Sequence, residues 1–190
     1  MKDEWLVECF VASFEKLDDM TVFKETDPIA WQLSVGSAGQ YGFRHWRPKR
    51  VSTSKTLLEP IYSQLPAPFP PLFKRLVLWF RWAEVDLQVC RLLANPPGPD
   101  LAALFQQISG DPTLWKYLRE GGYIQFGRGP DIDYDPVCFD TNSWKNSQDY
   151  KVVKIDHEEI LCNDRVKIVA ELAPSFRELM LFTIDKANRG

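Results

Sequence analysis

The chain is 190 residues long, 45% hydrophobic and 26% charged, with 12 Phe, 7 Trp and 6 Tyr and a net charge of −3 from 23 basic and 26 acidic side chains. That apolar and aromatic content excludes intrinsic disorder, and the length suits one domain that needs no disulfide or metal staple. The mildly acidic balance argues against nucleic acid or an anionic membrane as a partner of the whole surface.

In chain order, MKDEWLVECF carries acids where a secretion signal needs a basic start, and the expected compartment is the cytoplasm. Trp5, Leu6, Cys9, Phe10, Phe14 and Leu17 recur at helical spacing and predict an amphipathic helix over 3–19. AWQLSV (30–35) alternates like a short strand, and GSAGQYG is turn material. RHWRPKRVSTSK (44–55) is basic, then polar, and reads as an exposed connection. Prolines 66, 68, 70 and 71 stiffen the approach to Leu72. Leu72, Leu76, Phe80, Ala83, Leu87, Cys90 and Ala94 then mark one face of a long helix, stopped by Asn95-Pro96-Pro97-Gly98. Lys74, Arg75, Arg81, Glu84, Asp86 and Arg91 within it exclude a membrane span. Asp100 and Asp111-Pro112 are start signals for two short helices, the second ended by Gly121-Gly122.

Beyond residue 122 the texture turns β-branched and aromatic. YIQFG, DPVCFD, YKVVKID and VKIVAEL predict four strands, antiparallel because their connections are short, and Ser175 with Glu178 forms a capping box for a final helix. The expected fold is α+β, a single domain with a mixed, largely antiparallel sheet and helices packed on one face. Residues 1–60 form a helical or irregular extension packed on a main domain of residues 61–190.

Asp131, Asp133 and Asp135 are the densest acidic cluster, but Pro136 and Asn142 stand where a calcium loop needs Gly and Glu. A solvated acidic turn is the plainer reading. His157-Glu158-Glu159-Ile160-Leu161 begins like a zinc-protease motif and lacks its second imidazole; with a nearby carboxylate His157 could still be an acid/base pair. Gly127-Arg128-Gly129 has Ile132 where a phosphate loop needs Gly. No metal, cofactor or catalytic set is therefore assigned. Arg44, Arg47, Lys49 and Arg50 form a basic surface, expected to pair with acidic neighbours rather than phosphates. Trp79 and Trp82 lie off the apolar stripe, under the N-terminal segment or in a partner surface. Cys9, Cys90, Cys138 and Cys162 have no pairing pattern and read as reduced, mostly buried thiols.

LPAPFPPLFKRLVLWF (65–80), GGYIQFG (121–127), YDPVCFD (134–140), IDHEEIL (155–161) and ELAPSFRELM (171–180), in that order, resemble the SUKH superfamily, which includes yeast-type regulators of cell-wall synthesis and many bacterial immunity proteins. The likeness spans roughly residues 60–186. It implies an α+β fold and a non-catalytic module that binds protein partners, often toxins, with no catalytic residues to carry over. The leading expectation is thus a binding protein, either an immunity-type inhibitor or a regulatory scaffold, whose acidic turn (Asp131, Asp133, Asp135) and exposed aromatics meet a basic partner. A metal-dependent enzyme using those aspartates with His157, and a small-molecule or nucleic-acid sensor using residues 44–50, are the alternatives. The sheet edge and the helix carrying Trp79 and Trp82 offer surfaces for a homodimer.

Overall fold

The computed structural model describes residues 2–22, 28, 30–130, 133–143 and 149–189. The amphipathic start folds as α1 (Asp3–Ala12) and α2 (Phe14–Leu17), separated by Ser13, whose hydroxyl donates to the Phe10 carbonyl at 2.6 Å. Leu6, Val7, Phe10, Val11 and Phe14 are buried, whereas Trp5 is exposed. The inward stripe is therefore rotated from the one read off the sequence, with valines in place of Trp5 and Cys9.

Strands β1 (Thr21–Val22), β2 (Ser34–Val35) and β3 (Arg44–Trp46) form a small antiparallel sheet in the order β1-β3-β2. Only the end of AWQLSV is strand; residues Ala30–Leu33 coil into a 3-10 turn. The expected exposed connection at 44–55 is a correction of substance. It supplies the central strand β3, with Trp46 fully buried, and then β4 (Lys49–Arg50). A Ser54-capped 3-10 turn leads into α3 (Glu59–Tyr62).

The long helix predicted from Leu72 to Ala94 is also corrected. Helix α4 (Pro71–Trp79) stops after nine residues and gives way to β5 (Phe80–Arg81), β6 (Val85–Asp86) and β7 (Arg91–Leu92). Its apolar period runs on, but the carbonyls of its end are taken by tertiary partners. Arg81 Nη1 donates to the Val77 and Phe80 carbonyls at 2.8 and 3.1 Å, and Asn95 Nδ2 donates to the same two at 3.1 and 2.8 Å. Acceptors that a longer helix would satisfy internally are satisfied here by two buried side chains.

Helices α5 (Ala102–Ser109) and α6 (Pro112–Glu120) follow, then β8 (Tyr123–Arg128), β9 (Pro136–Asp140), β10 (Lys151–Ile155), α7 (His157–Asn163), β11 (Ile168–Ala173) and α8 (Phe176–Arg189). Two of the three predicted start signals cap their helices: Asp111 Oδ1 accepts from Thr113 and Leu114 N–H at 2.9 Å, and Ser175 Oγ from Glu178 N–H at 3.1 Å. Asp100 accepts from Ala102 N–H at 2.9 Å, but from one residue before the cap position of α5, which is Leu101. The main sheet runs β11-β10-β9-β8-β7-β6, and every described ladder is antiparallel. The fold is α+β.

One face of that sheet carries the larger core. Phe126 and Phe139 stack at 4.1 Å between ring centroids, and Phe73 of α4 and Phe176 of α8 stand edge-on to Phe139 at 5.1 and 5.5 Å. Phe10 of α1 reaches Phe176 at 6.0 Å, so residues on both sides of position 60 share this core. The main helical layer thus lies on one face, as expected. The opposite face is not bare, because Cys138, Val153 and Ile155 pack with Leu118 of α6 and Ile160 of α7. No described helix is long and apolar enough to cross a membrane.

Candidate functional site

Asp133 and Asp135 follow β8 in a tight turn in which Asp135 N–H donates to Asp133 Oδ1 at 2.9 Å. Asp131 lies outside the described residues. A Cβ on Gly129 would collide with the Asp133 side chain, so a larger residue there would displace that carboxylate. Lys154 of β10 places Nζ 2.9 Å from Asp133 and 3.6 Å from Asp135. Asp135 Oδ1 accepts from His157 N–H at 3.0 Å and lies 2.7 Å from its Nδ1.

The structure thus supplies Asp135 as the carboxylate beside His157, which the sequence left unspecified, and adds Lys154, which it did not name. Burial would raise the Asp133 carboxyl, but the Lys154 and Asp135 hydrogen bonds and the nearby positive charge outweigh it and hold it below the usual range. Lys154 is pushed up, chiefly by its hydrogen bond to Asp133. Asp133 and Asp135 are therefore compensated by a resident ammonium. Among the described residues, no group of three or more His, Cys, Asp or Glu is arranged to hold a metal ion.

The two tryptophans diverge. Trp82 is completely buried, and its Nε1 donates to the Leu93 carbonyl at 2.9 Å, so it is removed from any partner surface. It pairs with Asn95 across an isolated bridge, a position created by the early end of α4. Trp79 is half-buried, with Arg50 and Arg75 against its ring at 5.7 and 5.8 Å.

Two of the four residues of the basic segment meet acids as expected. Arg47 pairs with Glu15 at 3.1 Å, and Arg50 bonds to Glu8 and lies 3.5 Å from Glu4. Arg44 lies over Trp31 at 4.7 Å. Lys49 differs from these: it stands directly opposite Arg81 in the β4–β5 ladder.

An unanticipated feature is a cleft of about 520 Å³ between the α2–β1 connection and the β6–β7 hairpin. Asp18, Asp19, Phe43, Glu84, Asp86 and Arg91 line it. Asp18 is fixed by accepting from Asp86 N–H at 2.6 Å and Met20 N–H at 2.9 Å. Arg91 lies 3.2 Å from Asp86 and 3.5 Å from Glu84, and Arg128 of β8 bonds to Glu84 at 2.7 Å. Exposed Tyr134 stacks on Arg128 at 5.6 Å and extends the strip toward the acidic turn. Glu84 and Asp86, two apart on a turn-bounded segment, are a signal that a helical reading of 72–94 conceals.

No family model matches the chain, and neither the curated proteins nor the solved structures contain a significant match.

Proposed function

We propose that this chain is a non-enzymatic protein-binding module that acts in the cytoplasm as an immunity-type inhibitor or regulatory scaffold. The observation that carries the reading is the cleft beside β6 and β7. Four carboxylates (Asp18, Asp19, Glu84, Asp86) gather there, of which Glu84 and Asp86 pair with Arg91 and Glu84 also with Arg128. Phe43 is exposed in the cleft, and Tyr134 is exposed beside Arg128. An acidic concavity edged by aromatic rings suits a basic protein segment: the charge steers the encounter and the rings supply contact area. The SUKH likeness of residues 60–186 supports the same class of function. The acidic turn is a weaker metal candidate, because Lys154 already supplies the cation that Asp133 and Asp135 would recruit.

Asp19 is exposed and tests the reading with little risk to the fold. In capture from source cells, Asp19→Lys is expected to weaken partner recovery at least roughly tenfold, through like-charge juxtaposition, and high salt to weaken it for the native chain. Equal recovery by the native and Asp19→Lys chains, unaffected by salt, overturns the acidic cleft as the docking surface.

A further inference from the structure

Another hollow, of about 340 Å³, is lined by Lys49, Ser52, Thr53, Ser54 and Arg81 together with Val51, Leu57 and the Pro97–Pro99 turn. Arg81 is only 5% exposed. Its guanidinium donates to the Val77 and Phe80 carbonyls through Nη1 and to Thr53 Oγ1 through Nη2, at 2.7 Å. A guanidinium has five N–H donors, so the remainder of its capacity is uncommitted among the described residues. No carboxylate lines the hollow, and none lies within ion-pair distance of Arg81 or Lys49 among the described residues. Other partly buried arginines differ: Arg91 and Arg128 meet Glu84, and Arg177 meets Asp3.

The β4–β5 register sharpens the point. Lys49 and Arg81 are direct cross-strand partners, so their side chains leave the ladder on the same face. Burying a guanidinium without a counter-charge is costly. Three hydroxyl residues in succession border the same space. Thr53 Oγ1 accepts from Arg81, which leaves its own proton to donate elsewhere.

We infer that this hollow is a binding site for a small oxyanion of the phosphate class, held between Lys49 and Arg81 with hydroxyl donors from Ser52 and Thr53. A buried guanidinium with donors to spare, an ammonium on the same ladder face and neighbouring hydroxyls suit the charge and hydrogen-bonding needs of a tetrahedral oxyanion. The site is separate from the acidic cleft and does not depend on the protein-binding reading.

The probes are inorganic phosphate and glycerol 3-phosphate, titrated into the full chain at constant ionic strength with chloride as the control. Thermal unfolding and calorimetry are the readouts. Phosphate is expected to raise the melting temperature saturably, beyond any effect of chloride. Lys49→Gln is expected to weaken phosphate binding about tenfold, as for a lost charge-assisted contact. Lys49→Glu is expected to abolish phosphate binding while raising the melting temperature in phosphate-free buffer, because Arg81 then acquires a carboxylate. Tighter binding of glycerol 3-phosphate assigns the site to an organic phosphate and equal binding to free phosphate; either order supports it. The inference is overturned by a native chain that responds to phosphate no more than to chloride, or by an undiminished response in Lys49→Glu.

Discussion

Four cysteines occupy three different environments. Cys90 and Cys138 are completely buried; burial, aided by nearby Asp86, pushes the Cys90 thiol up to about 12, and burial with Asp140 pushes Cys138 well above the ordinary thiol value. Cys9 is half-buried, and Cys162 is exposed on α7. Thiolate is the reactive form, so a disulfide reagent at mildly alkaline pH is expected to label Cys162 first and to reach Cys90 and Cys138 only on unfolding. Mass spectrometry of the labelled native chain reads this directly, and early modification of Cys138 contradicts it. The sequence expectation of mostly buried thiols fails at Cys162, because α7 was not foreseen. Asp156 creates that helix by accepting from Glu159 N–H at 3.1 Å, directly after β10.

At the scale of elements, the hinge between α6 and β8 rests on Gly122, whose φ of +82° is a conformation that side chains resist. Its carbonyl accepts from Thr141 N–H at 2.9 Å and Thr141 Oγ1 at 2.7 Å, tying the turn to the end of β9. A Cβ there would also meet the Asn142 side-chain amide at 2.8 Å. Gly122→Ala is therefore expected to lower stability by about 1–2 kcal/mol, the usual penalty for a left-handed non-glycine residue. A urea-unfolding midpoint unchanged from the native chain would refute that. The sheet edges carry their own devices. Strand β11 is offset against β10 by two register shifts, and β6 at the far edge is only two residues long. Bulges and short edge strands oppose edge-to-edge pairing, which bears against a homodimer built through the sheet.

For the molecule as a whole, Asp3 joins the first helix to the last. Its carboxylate meets Arg177 of α8 and lies 3.3 Å from Arg75 of α4. The Arg177 hydrogen bond, with the charges of Arg177 and Arg75, outweighs burial and holds the Asp3 carboxyl below its usual value. Asp133, Asp156 and Glu159 are displaced the same way. A carboxyl lowered in the folded state binds fewer protons there than in the unfolded chain. Its contribution is present above the unfolded value, near pH 4, and is lost as pH falls through the folded one. From these carboxylates, stability is therefore expected to be nearly flat between about pH 5 and 8 and to decline in acid, and Asp3→Asn to lower the neutral plateau and flatten the acid limb. Urea midpoints measured across pH test this; an acid limb identical in both chains would remove Asp3 from the account.

The four β-rich runs after residue 122, their turn signals, and the capping residues Asp111 and Ser175 were legible because they act locally, through hydrophobic alternation and side chains that reach their own helix. The α+β class followed from that order alone. Asp135 and His157 could be named together from the sequence only as members of one alternative site; the antiparallel pairing of β9 with β10 is what sets them side by side. Other features depended on contacts between distant segments. The apolar period from Leu72 to Ala94 is equally compatible with a helix or with a helix followed by strands; Asn95 and Arg81 decide between them by taking the carbonyls where α4 ends. That choice alone buries Trp82, frees Glu84 and Asp86 to wall a cleft with Asp18, and sets Lys49 opposite Arg81. Local pattern determined which segments could be ordered, and tertiary hydrogen bonding determined which charges came to face one another.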